Sequence, residues 1–412
     1  MKNILASFPD EQALLMLYPE IRTLPVNGHL HTPYSFSAFK DIPQLFDMAR
    51  KENIAVAGIN DFFVTDGYEP FYLEALKTGV FPLFNIEFIG LMKDEQRHHI
   101  RVNDPNNPGR CYFSGKGLDY PFSINARLAA KLKSVVEESQ VQVAAMIDKA
   151  NVWFRQVDAG LRLDFQDIRR RYAKELVRER HIAQAIRIAV FDQCRTDPER
   201  NALLTRIFED RSPKSPLTEI PALENEIRGN LLKSGGKAFV EEDEQAFMSL
   251  KEVIEIIVSA GGIPCYPVLL DDKNGNYTEF EQDPEQLWKK LKDMKIGCIE
   301  LIPGRNDARH LENFVRFFHK RKFVVMFGTE HNTPDMIPLT CDTRGNNPLS
   351  AEMQQISYEG ACMVAAHQYL RTGKKKGLIR ADGSFENSEM EARIKLGNAV
   401  IHHYISLFRR DR

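Results

Sequence analysis

Two stretches of this chain, roughly residues 21–91 and 250–331, repeat one alternation: a short apolar run, an amphipathic segment, then another apolar run. In the first, "DIPQLFDMARKENI" carries Ile42, Leu45, Phe46, Met48 and Ala49 near helical spacing. "AVAGIND" then reads as a buried strand, "YEPFYLEALKTG" as a helix closed by Gly79, and "VFPLFNIEFIG" as the next strand. In the second, helices "EVIEIIVSAGG", "PEQLWKKLKDMK" and "ARHLENFVRFFHKRK" alternate with strands "IPCYPVLL", "IGCIELIPG" and "FVVMFGTEHN". Strand–helix–strand order requires parallel βα units, because parallel neighbours need a crossover connection. In βα barrels the active site is built where such strands end.

Between the two stretches the pattern changes to long, charged, helical segments such as "NARLAAKLKSVVEESQVQVAAMIDKANVWF", with "RSPKSPLTEIP" as a boundary loop. The expected organisation is therefore a barrel in two parts, residues 1–109 and 236–348, a helical insertion or cap at 110–235, and a C-terminal helical extension at 349–412. The extension holds the helix "SAEMQQISYEGACMVAAHQYL", followed by a solvated "KKK" turn at Lys374–Lys376. The formal charge of −2 gives no general reason to expect a nucleic-acid partner, and "RRR" at 169–171 lacks the interleaved aromatics of a single-strand binder. Six scattered cysteines without C-x-x-C spacing argue against a disulfide framework or zinc finger and favour a reducing compartment. The opening "MKNILASFPDEQALL" does not read as a signal peptide, and no apolar stretch is long enough to span a bilayer, so a cytoplasmic location without a membrane partner is expected. Nothing in the sequence fixes an oligomeric state.

Polar residues gather at the predicted strand ends: His29 and His31 in "NGHLHTPYS", Asp61, Glu87, His98 and His99, Glu300, Glu330 and His331. Residues i and i+2 of a strand share a face, so His29 and His31 project together. Imidazoles and carboxylates are the usual ligands of zinc, manganese or iron, and a carboxylate can bridge two ions. One H-x-H pair alone is better explained by two surface histidines; recurrence of ligand-type residues at one end of successive strands points to a metal site.

"HLHTPYS", followed by "AVAGINDFFVTDGYEPFYLEALKTGVFPLFNIEF", resembles the opening of the PHP family (polymerase and histidinol phosphatase), whose members begin H-x-H-T-x-x-S. "SAGGIPCYP" is similar to that family's A-G-G segment leading to A-H-P, "GCIEL" to its G-x-E strand, "FGTEHN" to its G-S-D-x-H, and "RERHIAQAI" to an R-x-H-x-A element of members acting on nucleotide phosphates. The resemblance implies an α/β fold, a distorted (βα)7 barrel with a mostly helical insertion, and hydrolysis of phosphate esters by clustered metal ions. Carried over by position, it implies a metal site of His29, His31, Glu87 and Glu330, and a second ion bridged by Glu87 and held by His99. The family's second site also takes the A-H-P histidine, where this chain has Tyr266. Where it places histidines for a third ion, the chain has Ser37, Phe62 and Asn332.

The expected function is a metal-dependent phosphoesterase using one or two zinc, manganese or iron ions on a nucleotide or other small-molecule phosphate. His331 and Tyr266 are placed to give a leaving group its proton. Asp61 is placed to orient a ligand histidine or, equally, to cap a helix. Arg305 after "CIELIPG" is a phosphate clamp by position, its alternative being a pair with Asp307; Arg178, Arg180 and His181 of the insertion would face the site from above. Two other readings stand beside this one: a metal-dependent hydrolase or lyase acting on a sugar or sugar acid, and a catalytically inactive PHP-fold binding module.

Overall fold

The structure is a computed structural model and describes residues 3–272, 274–380 and 382–408. After α1 (Glu11–Leu17), the chain runs β1 (Val26–Leu30), α2 (Ile42–Lys51), β2 (Val56–Phe62), α3 (Tyr68–Thr78), β3 (Phe81–Leu91), α4 (Lys93–Arg97) and β4 (Arg110–Lys116). Five helices follow: α5 (Ala126–Gln156), α6 (Phe165–Tyr172), α7 (Glu179–Gln193), α8 (Asp197–Ile207) and α9 (Ile220–Leu231). The two-residue β5 (Met248–Ser249) then leads to α10 (Leu250–Ser259), β6 (Ile263–Pro267), α11 (Pro284–Asp293), β7 (Cys298–Leu301), α12 (Ala308–Lys320) and β8 (Val324–Phe327). A short ribbon, β9 (Asp342–Thr343) with β10 (Asn347–Pro348), precedes α13 (Ala351–Thr372) and α14 (Met390–Phe408).

Seven strands form a nearly closed, barrel-like sheet in the order β1-β2-β3-β4-β6-β7-β8, with β5 paired to β3. Neighbours are parallel except β4, which is antiparallel to both β3 and β6. The seam between β1 and β8 is drawn together by the chain after β8: Glu330 N donates to His29 O at 3.0 Å, and His31 N to Glu330 O at 2.8 Å. The expected boundary at residue 110 is corrected here, because Arg110–Lys116 is a strand of the barrel and the helical segment begins beyond it.

Local chemistry explains the crossovers. Asp41 caps α2 by accepting from Gln44 N at 2.9 Å, and the helix buries Ile42, Leu45, Phe46 and Ala49 against the sheet. Gly79 ends α3 in left-handed backbone at φ 71°, a conformation that costs glycine little. The starts of the parallel strands, among them Val26, Val56, Phe81, Cys298 and Val324, share one apolar cluster with Tyr358, Ala361, Cys362 and Ala365 of α13. Helix α13 thus closes the barrel end opposite the strand termini, and does so at close range: a Cβ on Gly360 would stand 2.0 Å from Val325 O.

The 31-residue α5 begins against the barrel cluster through Leu128 and Val135 and ends in a separate cluster through Val143, Met146, Ile147, Ala150 and Phe154. That second cluster is completed by Ile182, Ile186, Leu203, Leu204, Leu223 and Ile227 of α7, α8 and α9, so the helical segment carries its own core. Among the described residues no helix is long and apolar enough to cross a membrane.

Candidate metal centre

The end of β1 and the second half of β3 bring together, inside the barrel mouth, three atoms that could ligate a metal. His31 Nε2 lies 3.0 Å from Glu87 Oε2, His29 Nε2 lies 3.5 Å from the same oxygen, and the two Nε2 atoms are 3.2 Å apart. Two ligands about 2.0–2.2 Å from one metal stand roughly 2.9 Å apart at a right angle and roughly 3.4 Å apart at the tetrahedral angle, so all three edges fit coordination of a single ion. All three side chains are almost fully buried, and Glu87 Oε2 has no hydrogen-bond donor. A buried carboxylate oxygen without a donor is costly in isolation and is what a cation would satisfy. Among the described residues this is the one group of three or more His, Cys, Asp or Glu with ligand atoms so close.

Both histidines are held from behind. Glu300 at the end of β7 accepts from His29 Nδ1 at 2.9 Å, which turns Nε2 toward the triangle. Glu300 is held in turn by the ammonium of Lys116, a fully buried residue of β4 that also donates to Asn60 Oδ1 at 3.0 Å. His31 Nδ1 meets Ser35 Oγ at 3.2 Å, and Ser35 donates to Asp61 Oδ1 at 2.6 Å. Asp61 also accepts from Thr32 N at 2.7 Å and Thr32 Oγ1 at 2.5 Å, so it fixes the loop after β1 and reaches His31 through Ser35, with no helix-capping role.

The charges of the barrel interior balance. Burial would strip His29 of its proton, but Glu300 and Glu87 hold the imidazole's pKa up to about 9. Burial works to raise Glu87, and the neighbouring imidazoles outweigh it, drawing the carboxyl down to about 2. Glu300 is likewise held below the usual carboxylate range by Lys116 and His29 against the effect of burial. Two carboxylates thus face an imidazolium and an ammonium, and for His29 to ligate a cation through Nε2 that ring must first give up a proton.

Four expected site residues are placed elsewhere. His99 is exposed, in left-handed backbone at φ 55° on the turn after α4, away from the triangle. Tyr266 is buried on the outer face of β6, where its hydroxyl donates to Glu281 Oε1 at 2.8 Å; its neighbour Cys265 takes the inward position in register with Ser114 and Cys298. His331 spends both ring nitrogens on the fold, Nδ1 with Thr329 Oγ1 and Nε2 with Ile337 O, each at 2.8 Å, and stacks on Phe39. Glu330 lies at the seam, but its carboxylate is paired with the Arg305 guanidinium instead of joining the triangle. This pair also replaces the alternative of Arg305 with Asp307. Glu330 and His331 have φ of 64° and 57°, two successive non-glycine residues in left-handed backbone beside the centre.

The start of α7 covers the mouth. Phe62 lies with its ring centroid 4.7 Å from that of His31, and the Arg178 guanidinium stands 4.6 Å above Phe62. His181 packs edge-on to Phe36 with its Nδ1 accepting from Arg178 N at 3.0 Å; burial and Arg178 push its pKa down to about 3, so the ring is neutral. Arg180 donates to Asn225 Oδ1 at 2.8 Å and lies over Phe36, its pKa drawn down to about 10 by burial and by Arg228. Lys116, Glu300 as the partner of His29, and Tyr112, which reaches the mouth beside Phe62, were absent from the sequence-derived site. Glu300 carried a signal, its place at a strand end, whereas Lys116 carried none, since nothing local marks a lysine as buried.

No protein-family model matches the chain, and no curated protein sequence does. Among solved structures, the fold is similar to that of a "putative metal-dependent phosphoesterase" from Bifidobacterium adolescentis, with a TM-score of 0.53 and 16% identity over 82% of this chain and 96% of that one. It is also similar to an amidohydrolase from Chromobacterium violaceum, solved with bound sulfate and no metal, with a TM-score of 0.50 and 16% identity over 81% of this chain and 96% of that one. At this identity the likeness is one of fold alone.

Proposed function

We propose that the chain is a metal-dependent hydrolase cleaving a phosphate ester of a small molecule, with His29, His31 and Glu87 holding the ion. The observation that carries this reading is the triangle of Nε2, Nε2 and Oε2 with edges of 3.0, 3.2 and 3.5 Å. When bound, a divalent ion supplies Lewis acidity toward a phosphoryl oxygen and toward water. The residues of the chain do the rest. Glu300 and Ser35 keep the ligand nitrogens aimed inward, and Phe62 shields the centre from bulk water. Arg178, and Arg180 behind it, offer positive charge where an anionic group would enter. With His331 and Tyr266 bound into the fold, the phenol that reaches the mouth is Tyr112, beside Phe62; burial, then Asp104 and Glu87, raise its pKa, so it stands there as a protonated hydrogen-bond donor.

The fold likeness to a phosphoesterase supports the same class. A hydrolase or lyase acting on a sugar or sugar acid is the second reading, favoured by the engagement of Arg305 with Glu330, which removes one cation from phosphate binding. The test is release of inorganic phosphate from aryl and nucleotide phosphates by protein supplied with manganese or zinc. Turnover that requires the metal and disappears in His31→Ala and Glu87→Gln supports the proposal. Stoichiometric metal with no phosphate release from any ester gives the site to the second reading.

A further inference from the structure

We propose that Lys116 is a positioning residue of this centre and that the centre takes a single divalent ion. The inference rests on reading His29, His31 and Glu87 as metal ligands. Lys116 has no exposed surface, and its ammonium is bonded to Glu300 Oε2, the same oxygen that accepts from His29 Nδ1 at 2.9 Å. The other oxygen, Oε1, has no hydrogen-bond partner, so the Oε2 contacts hold the carboxylate. The ammonium therefore fixes Glu300, and Glu300 fixes which nitrogen of His29 carries the proton and where the ring points. Partners of this kind behind a ligand typically tune metal affinity by about 10–100-fold.

The acids around the triangle limit the ion count. A second ion needs further ligands, and each neighbouring carboxylate is already held through at least one oxygen: Glu300 Oε2 by Lys116 and His29, Asp61 by Thr32 and Ser35, Glu330 by Arg305. Of the other imidazoles on this side, His99 is exposed, His331 is bonded at both nitrogens and His181 is bonded to Arg178 N through Nδ1 and packed on Phe36; among the described residues none joins the triangle. Lys116 is itself a positive charge in the low-dielectric interior, two residues deeper along β4 than the layer of Glu87 and Ser114. A second divalent ion would be repelled by this charge as well as by the first ion.

The test is titration of metal-free protein with cobalt(II) chloride, reading stoichiometry by equilibrium dialysis and ligand geometry by the visible spectrum. The expected result is one cobalt per chain in the wild type. In Lys116→Met, binding should weaken by about 10–100-fold with an altered visible spectrum in a folded protein. If Lys116→Met does not fold, the uncharged pair Lys116→Met with Glu300→Gln replaces it and should show the same weakening and spectral change. Two cobalt ions per wild-type chain, or variants with unchanged affinity and spectrum, overturn the proposal. His31→Ala separates the two levels: if it binds cobalt as the wild type does, the metal-centre reading itself falls. If it loses cobalt while the Lys116 variants do not change, only the present inference falls.

Discussion

Removing the ammonium of Lys116 should destabilise the metal-free barrel far more than removing both members of its ion pair. Both side chains are fully buried, and the ammonium has two acceptors, Glu300 Oε2 and Asn60 Oδ1. Breaking a buried pair leaves an uncompensated charge and costs about 3–5 kcal/mol, whereas replacing both partners with uncharged groups of similar volume is often near neutral. Lys116→Met leaves Glu300 with the His29 imidazolium as a remaining partner, which places that variant near the lower figure, about 3 kcal/mol. Glu300→Gln leaves the ammonium with only neutral acceptors, which places it near about 5 kcal/mol. The double variant should lie within about 2 kcal/mol of the wild type, a coupling of several kcal/mol between two residues in direct contact. Urea unfolding of chelator-treated protein measures this, with Trp288 reporting on the barrel cluster it packs against and Trp153, substituted by Phe, removed from the signal. Single losses that simply add in the double variant would refute the reasoning, because they would mean the two charges do not interact across the interior.

Glu281 is fully buried, and burial raises its pKa to about 7 despite hydrogen bonds from Tyr266, Leu270 and Leu269. Its folded value lies above its unfolded one, so the stability it contributes is complete below about pH 4.5 and is lost as pH rises through about 7, roughly 3 kcal/mol in all. The difference in unfolding free energy between wild type and Glu281→Gln should follow that curve, and a pH-independent difference would refute it. Gly360→Ala should destabilise by at least about 3 kcal/mol, since the new Cβ would fall 2.0 Å from Val325 O, and thermal unfolding checks this. Arg178→Ala should speed removal of bound metal by a chelator, because the cover over Phe62 is lost, while leaving the equilibrium metal content unchanged. An unchanged stripping rate in a stopped-flow chelator assay would show that the mouth opens elsewhere.

The parts of this fold legible in the sequence are those written in local periodicity. The crossover helices and their partner strands announce themselves through apolar spacing, and His29 and His31 share a face because a strand repeats every two residues. Glu87 was legible as an acid inside a buried apolar run. Strand β4 was not, because "RCYFSGK" opens on an arginine and closes on serine, glycine and lysine in place of an apolar run, and its direction is set by the neighbours it enters between, β3 and β6. Tyr266 illustrates a register effect: the pairing of Cys265 with Ser114 and Cys298 assigns it the inner face, and the tyrosine one residue on must point outward. His98 and His99 looked like ligands by type, but α4 carries them into solvent. The role of Lys116 depends on Glu300, 184 residues away, and no local pattern contains that distance.

The order in which the ribosome delivers these residues differs from the order in which the centre depends on them. His29, His31 and Glu87 emerge early, and β4 with Lys116 soon after, followed by a helical body that has its own core and can condense while the barrel is still incomplete. Glu300, which orients His29, comes 271 residues after it, and the Glu330 backbone that joins β1 to β8 later still. A nascent chain therefore holds all three residues of the triangle long before the group that aims one of them exists, so if the triangle binds an ion as proposed, that capacity belongs to the finished protein and not to the growing one.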